Sequence, residues 1–95
     1  PASSLSLIDI VLANDIERAS LLSEVETAAD PARIADIHLR LNDIGAHSAE
    51  ARAAAILSGL GFSAEDQRRP ASDFSGGWRM RVALAGVLFA APDLL

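Results

Sequence analysis

Apolar positions along the chain fall into successive stripes of helical period. From Leu5 to Ala29, the residues Leu7, Ile8, Val11, Leu12, Ile16, Ala19, Leu22 and Val25 recur near 3.6 residues, predicting one long helix or two with a slight break. Asp9, Asp15, Glu17, Arg18, Glu24 and Glu26 take most of the other face and read as a solvated surface, with no histidine or glycine loop to make a catalytic set. Asp30-Pro31 starts a second helix, the aspartate as cap and the proline at the first helical position, where a missing N–H costs nothing. Ile34, Ile37, Leu41 and Ile44 mark its apolar face, and Gly45 supplies the stop.

Ser48 is expected to cap a third helix from Ala49 to about Gly59, with Ala53, Ile56, Leu57 and Leu60 as its core edge. The small residues Ala51, Ala53, Ala54 and Ala55 should let it approach the second helix closely, and Gly61 ends it. Ser63-Ala64-Glu65-Asp66 reads as a capped single turn that Pro70 prevents from continuing. Arg68 and Arg69 then read first as solvated charges of a polar loop leading to Phe74, with contact to a phosphate or an acidic partner as the alternative. The last helix runs from Gly77 to about Ala90, ahead of Pro92. Met80, Val82, Ala83, Leu84, Ala85, Val87, Leu88 and Phe89 surround it, and only Arg79 and Arg81 are charged. A helix apolar on all sides belongs inside a larger body, so the chain should be a piece of a bigger domain or bury that surface by self-association through 78–95. The expected fold is a small all-α subdomain with about four main helices and short connections.

Composition narrows the class. The 95 residues hold one small domain, and 51% apolar content with a mean hydropathy of +0.27 excludes a disordered, highly charged chain. There is no cysteine, hence no disulfide or thiolate metal site. No apolar run reaches the length of a membrane span, and Pro1-Ala2-Ser3-Ser4 lacks the basic start of a signal peptide, so a cytoplasmic location is expected. Net charge is −5, with nine acids against three arginines in residues 1–50 and four against five in 51–95. The acidic half is ill suited to gripping a phosphate backbone. His38 and His47 have no second ligand at metal spacing and read as structural.

Chemistry concentrates at Phe74-Ser75-Gly76-Gly77-Trp78. Ser75 can cap the following helix, and two residues without Cβ admit another body to the backbone. Free N–H groups and the helix dipole there favour an anion. The run Ser75-Gly76-Gly77-Trp78-Arg79-Met80-Arg81-Val82-Ala83-Leu84-Ala85 resembles the signature motif and signature helix of ATP-binding-cassette (ABC) ATPases, most closely the ABC-F subfamily, in which Trp replaces the usual Gln. Leu88-Phe89-Ala90-Ala91-Pro92-Asp93-Leu94-Leu95 resembles the lead-in to a Walker B strand. Val11-Leu12-Ala13-Asn14-Asp15-Ile16-Glu17-Arg18 and Ile56-Leu57-Ser58-Gly59-Leu60-Gly61-Phe62 resemble further ABC-F segments.

The resemblance implies that residues 1–95 are the helical subdomain excised from an α/β P-loop ABC ATPase domain, with the signature motif at 74–78. It implies that Ser75, Gly76 and Gly77 contact the γ-phosphate of ATP held by a second nucleotide-binding domain, with Trp78 near the nucleotide or the domain interface. Arg79 and Arg81 either pair with that opposing domain or stay solvated. Gly86 stands where the family usually carries Arg, which should loosen the signature helix and leave the turn intact. No G-x-x-x-x-G-K-[ST] occurs and every basic residue is an arginine, so the Walker A loop is absent, as are the Q-loop and the Walker B acids. The segment alone should therefore bind neither ATP nor Mg2+ and hydrolyse nothing. The parent is implied to be a cytoplasmic ATPase using ATP and Mg2+, with tandem cassettes, no membrane domain and often a site on the ribosome. The alternatives are the ATP-binding subunit of a membrane transporter, and a non-catalytic helical interaction module.

Overall fold

A side-chain amide splits the first apolar stripe in two. In the computed structural model, which describes residues 4–90, Leu7–Leu12 forms α1, opened by the Ser6 hydroxyl accepting the Asp9 N–H at 3.2 Å. The Asn14 amide then donates to the Ile10 and Val11 carbonyls, both at 3.2 Å, satisfying acceptors that a helix end leaves open. Asp15 next to it starts α2 (Ile16–Thr27) by accepting the Arg18 N–H at 3.0 Å. Of the two readings, one long helix or two with a break, the structure has the second, and the apolar faces of the two helices serve different cores. Ile16, placed by periodicity in one stripe with Leu12, is instead 78% exposed.

The first core is a helical hairpin. Asp30 caps α3 (Pro31–Asp43) through the Ala32 N–H at 3.1 Å, and Gly45 stops it at φ 72°, as their residue types imply. Ile37 and Leu41 of α3 bury against Leu21 of α2, with Val25, Ala28 and Ile44 packed around them. The outer acids of α2 also engage α3. Arg33 grips both carboxylate oxygens of Glu24 (2.5 and 2.6 Å), and Arg40 grips those of Glu17 (2.6 and 3.0 Å). The hairpin projects from the rest, and the radius of gyration of 14.7 Å exceeds the roughly 12 Å of a compact chain this long.

The second core joins α1 to α4 (Ala49–Gly59), α5 (Ala64–Arg68) and α6 (Trp78–Ala90). Leu7, Val11, Ala53, Leu57 and Ala85 are wholly buried within it. The alanines of α4 therefore serve a different partner from the one expected, since α4 packs on α1 and α6 rather than along α3. Ser48 does not cap α4. It lies in a short 3-10 turn (Ala46–Ser48), where its hydroxyl donates to the Gly45 carbonyl at 3.0 Å. The other end of α4 is tightly closed: Gly61 N–H donates to Ser58 and Phe62 N–H to Leu57, which tucks Phe62 into the core over a glycine at φ 100°. Ser63 caps α5 through the Asp66 N–H at 3.1 Å.

The last helix is half covered. Val82, Ala85, Gly86 and Phe89 face inward, while Met80 (79%), Leu84 (47%) and Val87 (54%) line up one helical turn apart on the open side. Gly86 does not loosen this helix but lets α1 approach it. A Cβ there would stand 2.5 Å from the Asn14 amide nitrogen, the atom that caps α1. Among the described residues there are six helices and no strand, so the small all-α architecture holds. No described helix is long and apolar enough to cross a membrane. Pro92 and the stretch to Leu95 lie outside the described residues.

Two measurements test this packing. Bonding to Arg40 and Arg33 holds the Glu17 and Glu24 carboxyls below the ordinary 4.5, so their contribution is complete above that pH and fades as pH falls through the lowered values. The protection of α2 and α3 amides relative to their intrinsic exchange rates should fall below pH 4.5, and Glu17→Gln with Glu24→Gln should flatten that dependence. For Gly86→Ala, a propensity gain of about 1 kcal/mol should be outweighed by an overpacking cost of about 1–3 kcal/mol. Urea unfolding should show a net loss that vanishes when Asn14→Ala is already present.

Candidate functional site

The glycine turn is delivered by a loop pinned at both ends. On one side, the Gln67 side chain of α5 is almost wholly buried, and its amide nitrogen lies 3.0 Å from both the Ser58 hydroxyl and the Phe62 carbonyl. On the other, the Ala71 N–H donates to the Leu5 carbonyl at 2.8 Å and an antiparallel bridge joins Ser6 to Pro70. The residues before α1 thus hold the loop that precedes the turn. A 3-10 turn (Ala71–Asp73) leads to Phe74 in an extended conformation.

Phe74 is the anchor. Its ring meets Phe62 edge to face at 6.1 Å and Trp78 at 6.2 Å, and the Arg69 guanidinium lies over it at 5.0 Å. Ser75, Gly76 and Gly77 follow, all exposed. Gly76 (φ 65°) and Gly77 (φ 31°) adopt conformations that residues with a Cβ rarely take, and the Trp78 N–H donates back to the Gly76 carbonyl across the turn. α6 accordingly begins at Trp78, one position later than the pattern suggests. Ser75 makes no hydrogen bond to that helix start, so the capping role assigned to it is not used in this conformation.

None of the described residues crowds the two glycines of this turn. A Cβ built on Gly76 or on Gly77 meets no atom within 4 Å, in contrast to Gly86. Two open clefts flank it. The larger, about 420 Å³, is lined by Phe62, Asp66, Phe74, Trp78 and Arg81 beside the turn residues, and the smaller, about 350 Å³, includes Arg79. Arg79 lies over the Trp78 ring at 5.6 Å, and neither it nor Arg81 has a carboxylate partner among the described residues. The structure therefore gathers Ser75, Gly76, Gly77, Trp78, Arg79 and Arg81 on one exposed rim. His38 and His47 are exposed, and no described group of three or more His, Asp or Glu side chains is placed to hold a metal ion.

Two contributors escaped the sequence reading. Gln67 carries no pattern that marks it as buried. Arg69, read first as a solvated charge with an acidic partner as the alternative, reaches Asp66 and Asp73 of its own loop, each at 3.4 Å, as well as Phe74. The spacing of Asp66, Arg69 and Asp73, three and four residues apart, is the signal that could have found it.

A helical body that presents a Ser-Gly-Gly turn at the head of an apolar helix is the arrangement that the resemblance to ABC proteins implies. No family model matches the chain. It is 54% identical over 67 residues, 70% of its length, to ATP-binding cassette sub-family F member 3 of Homo sapiens. It is 43% identical over 99 aligned residues, spanning all of this chain, to ATP-binding cassette sub-family F member 2 of Bos taurus. It is 57% identical over 63 residues to ABC transporter F family member 3 of Arabidopsis thaliana, 66% of its length. The chain belongs to the ABC-F family. It spans 9% to 16% of the length of these relatives.

Proposed function

We propose that this segment is the signature-bearing part of an ATP-binding cassette, and that its Ser75-Gly76-Gly77 turn contacts the γ-phosphate of ATP held by a second nucleotide-binding domain. The observation that carries the reading is the pair of exposed positive-φ glycines with open space where each Cβ would be. Their backbone shape excludes most side chains, yet no neighbour in the chain requires it, so the demand comes from a body that closes on them from outside. Backbone N–H groups at a helix start suit an anion of that kind.

Under this reading each residue has a separate task. Ser75 offers a free hydroxyl as donor to a phosphate oxygen. Gly76 and Gly77 let the phosphate reach the backbone. Trp78, braced by Phe74 and Arg79, presents an aromatic surface to the nucleotide or to the opposing domain. Arg79 and Arg81 are cations available for that domain's acids. The chain has no lysine and no phosphate-cradling loop, so ATP is held elsewhere and this surface closes over it. Among the described residues no group of three or more His, Asp or Glu side chains is placed to hold the accompanying Mg2+. The parent protein would couple ATP hydrolysis to a change in shape, on the ribosome as in the family the sequence resembles.

In the full-length protein, Ser75→Ala and Gly77→Asp should each lower ATP turnover by about 100-fold, the usual scale for losing a preorganised donor to developing charge. Turnover equal to wild type in both would remove the assignment. The Met80, Leu84 and Val87 stripe should make the isolated 95-residue chain dimerise or assemble further. Light scattering that finds a monomer at high concentration contradicts this.

A further inference from the structure

Arg69 is the charge on which the neighbourhood of the turn depends. Its Nη1 lies 3.4 Å from Asp66 Oδ1 and its Nε lies 3.4 Å from Asp73 Oδ2, while its guanidinium plane rests over the Phe74 ring. The two carboxylates thus flank one cation. Asp66 lines the same cleft as Ser75, Gly76 and Gly77, and Asp73 directly precedes Phe74. Without Arg69, Asp66 would face that cleft unneutralised, and Asp73, which shares the same cation, would stand unpaired just before Phe74. Arg81, which shares the cleft, has no carboxylate partner among the described residues and lies nearest Gly61, so it does not replace Arg69 between the aspartates.

We propose that Arg69 is a positioning residue of the phosphate-binding turn, which cancels the negative charge of Asp66 and Asp73 beside it and holds Phe74 in place by stacking. The inference rests on the reading of Ser75-Gly76-Gly77 as an anion contact. An anion approaching the turn meets a neutralised aspartate pair instead of a repulsive one. Charges lining one cleft lie within the screening length of about 8–10 Å at ordinary salt, so they are screened only in part. Because the turn meets ATP only when the second domain closes, losing Arg69 impairs closure and turnover more than the initial binding of ATP.

The test is steady-state ATP turnover by the full-length protein, with melting temperature measured alongside. Arg69→Met should lower kcat about tenfold and leave KM for ATP within about twofold, the split expected when an interaction is made in the closed state alone. Adding Asp66→Asn and Asp73→Asn to Arg69→Met should restore kcat to within about threefold of wild type, because the unpaired anions are then gone. A merely structural Arg69 predicts the reverse, since removing its last partners cannot rebuild a lost clamp. Wild-type kcat in Arg69→Met, or no recovery in the triple variant, overturns the proposal while leaving the turn's own role intact. Unchanged turnover in Ser75→Ala, run in parallel, marks instead a failure of the reading of the turn and removes the basis for this one.

Discussion

The structure depends on a six-residue helix being enclosed from several sides. α1 is too short to be stable by itself, since a single turn and a half cannot repay the cost of nucleation. It persists because Leu7 and Val11 are entirely surrounded by α4, α5 and α6, and because the Asn14 amide closes its end. That same amide lies against Gly86 of the last helix. Residues just before α1 hold the loop ahead of the glycine turn, and those just after it start the projecting hairpin. One small element therefore joins the arm, α6 and the loop that delivers the turn.

The parts legible in the sequence were those with a local cause. Asp30-Pro31, Gly45, Gly61 and Ser63 act through their own backbone neighbourhood, and they start or stop helices where residue chemistry places them. Ser48 misled because Gly45 has a carbonyl within reach of its hydroxyl, and a tight turn formed before the helix could use the cap. The Leu5 to Ala29 stripe left one helix or two open for a similar reason. Periodicity counts apolar positions and is blind to an Asn-Asp pair that ends one helix and begins the next, and Ile16 became exposed as a result. Partner choice was the least legible. The alanines of α4 permit close approach to any helix, and the sequence does not say which.

Gly86 and the turn glycines show how one residue type answers to different forces. At 86 the demand is internal, because Asn14 occupies the place of a Cβ. At 76 and 77 the surroundings are empty and the backbone angle alone excludes other residues. The geometry thus separates a glycine required by a neighbouring side chain from two whose requirement is set by backbone conformation.

The same division runs through the charges. Arginine–carboxylate pairs on the hairpin are exposed and bidentate, and they join two helices whose shared apolar core is small. Around the turn the pattern changes. Arg69 is shared between two aspartates and stacked on a ring, and Arg79 is stacked on another, whereas Arg81 is left without an acid. Surface pairs of the first kind contribute little each and serve mainly to set the register of α2 on α3. Cations of the second kind leave a rim that is aromatic and short of negative charge next to exposed backbone N–H groups, although the chain as a whole carries −5. Among the described residues the acids beside the turn are paired with Arg69, so the proposed contact of this edge with an anion depends on the arginine between Asp66 and Asp73.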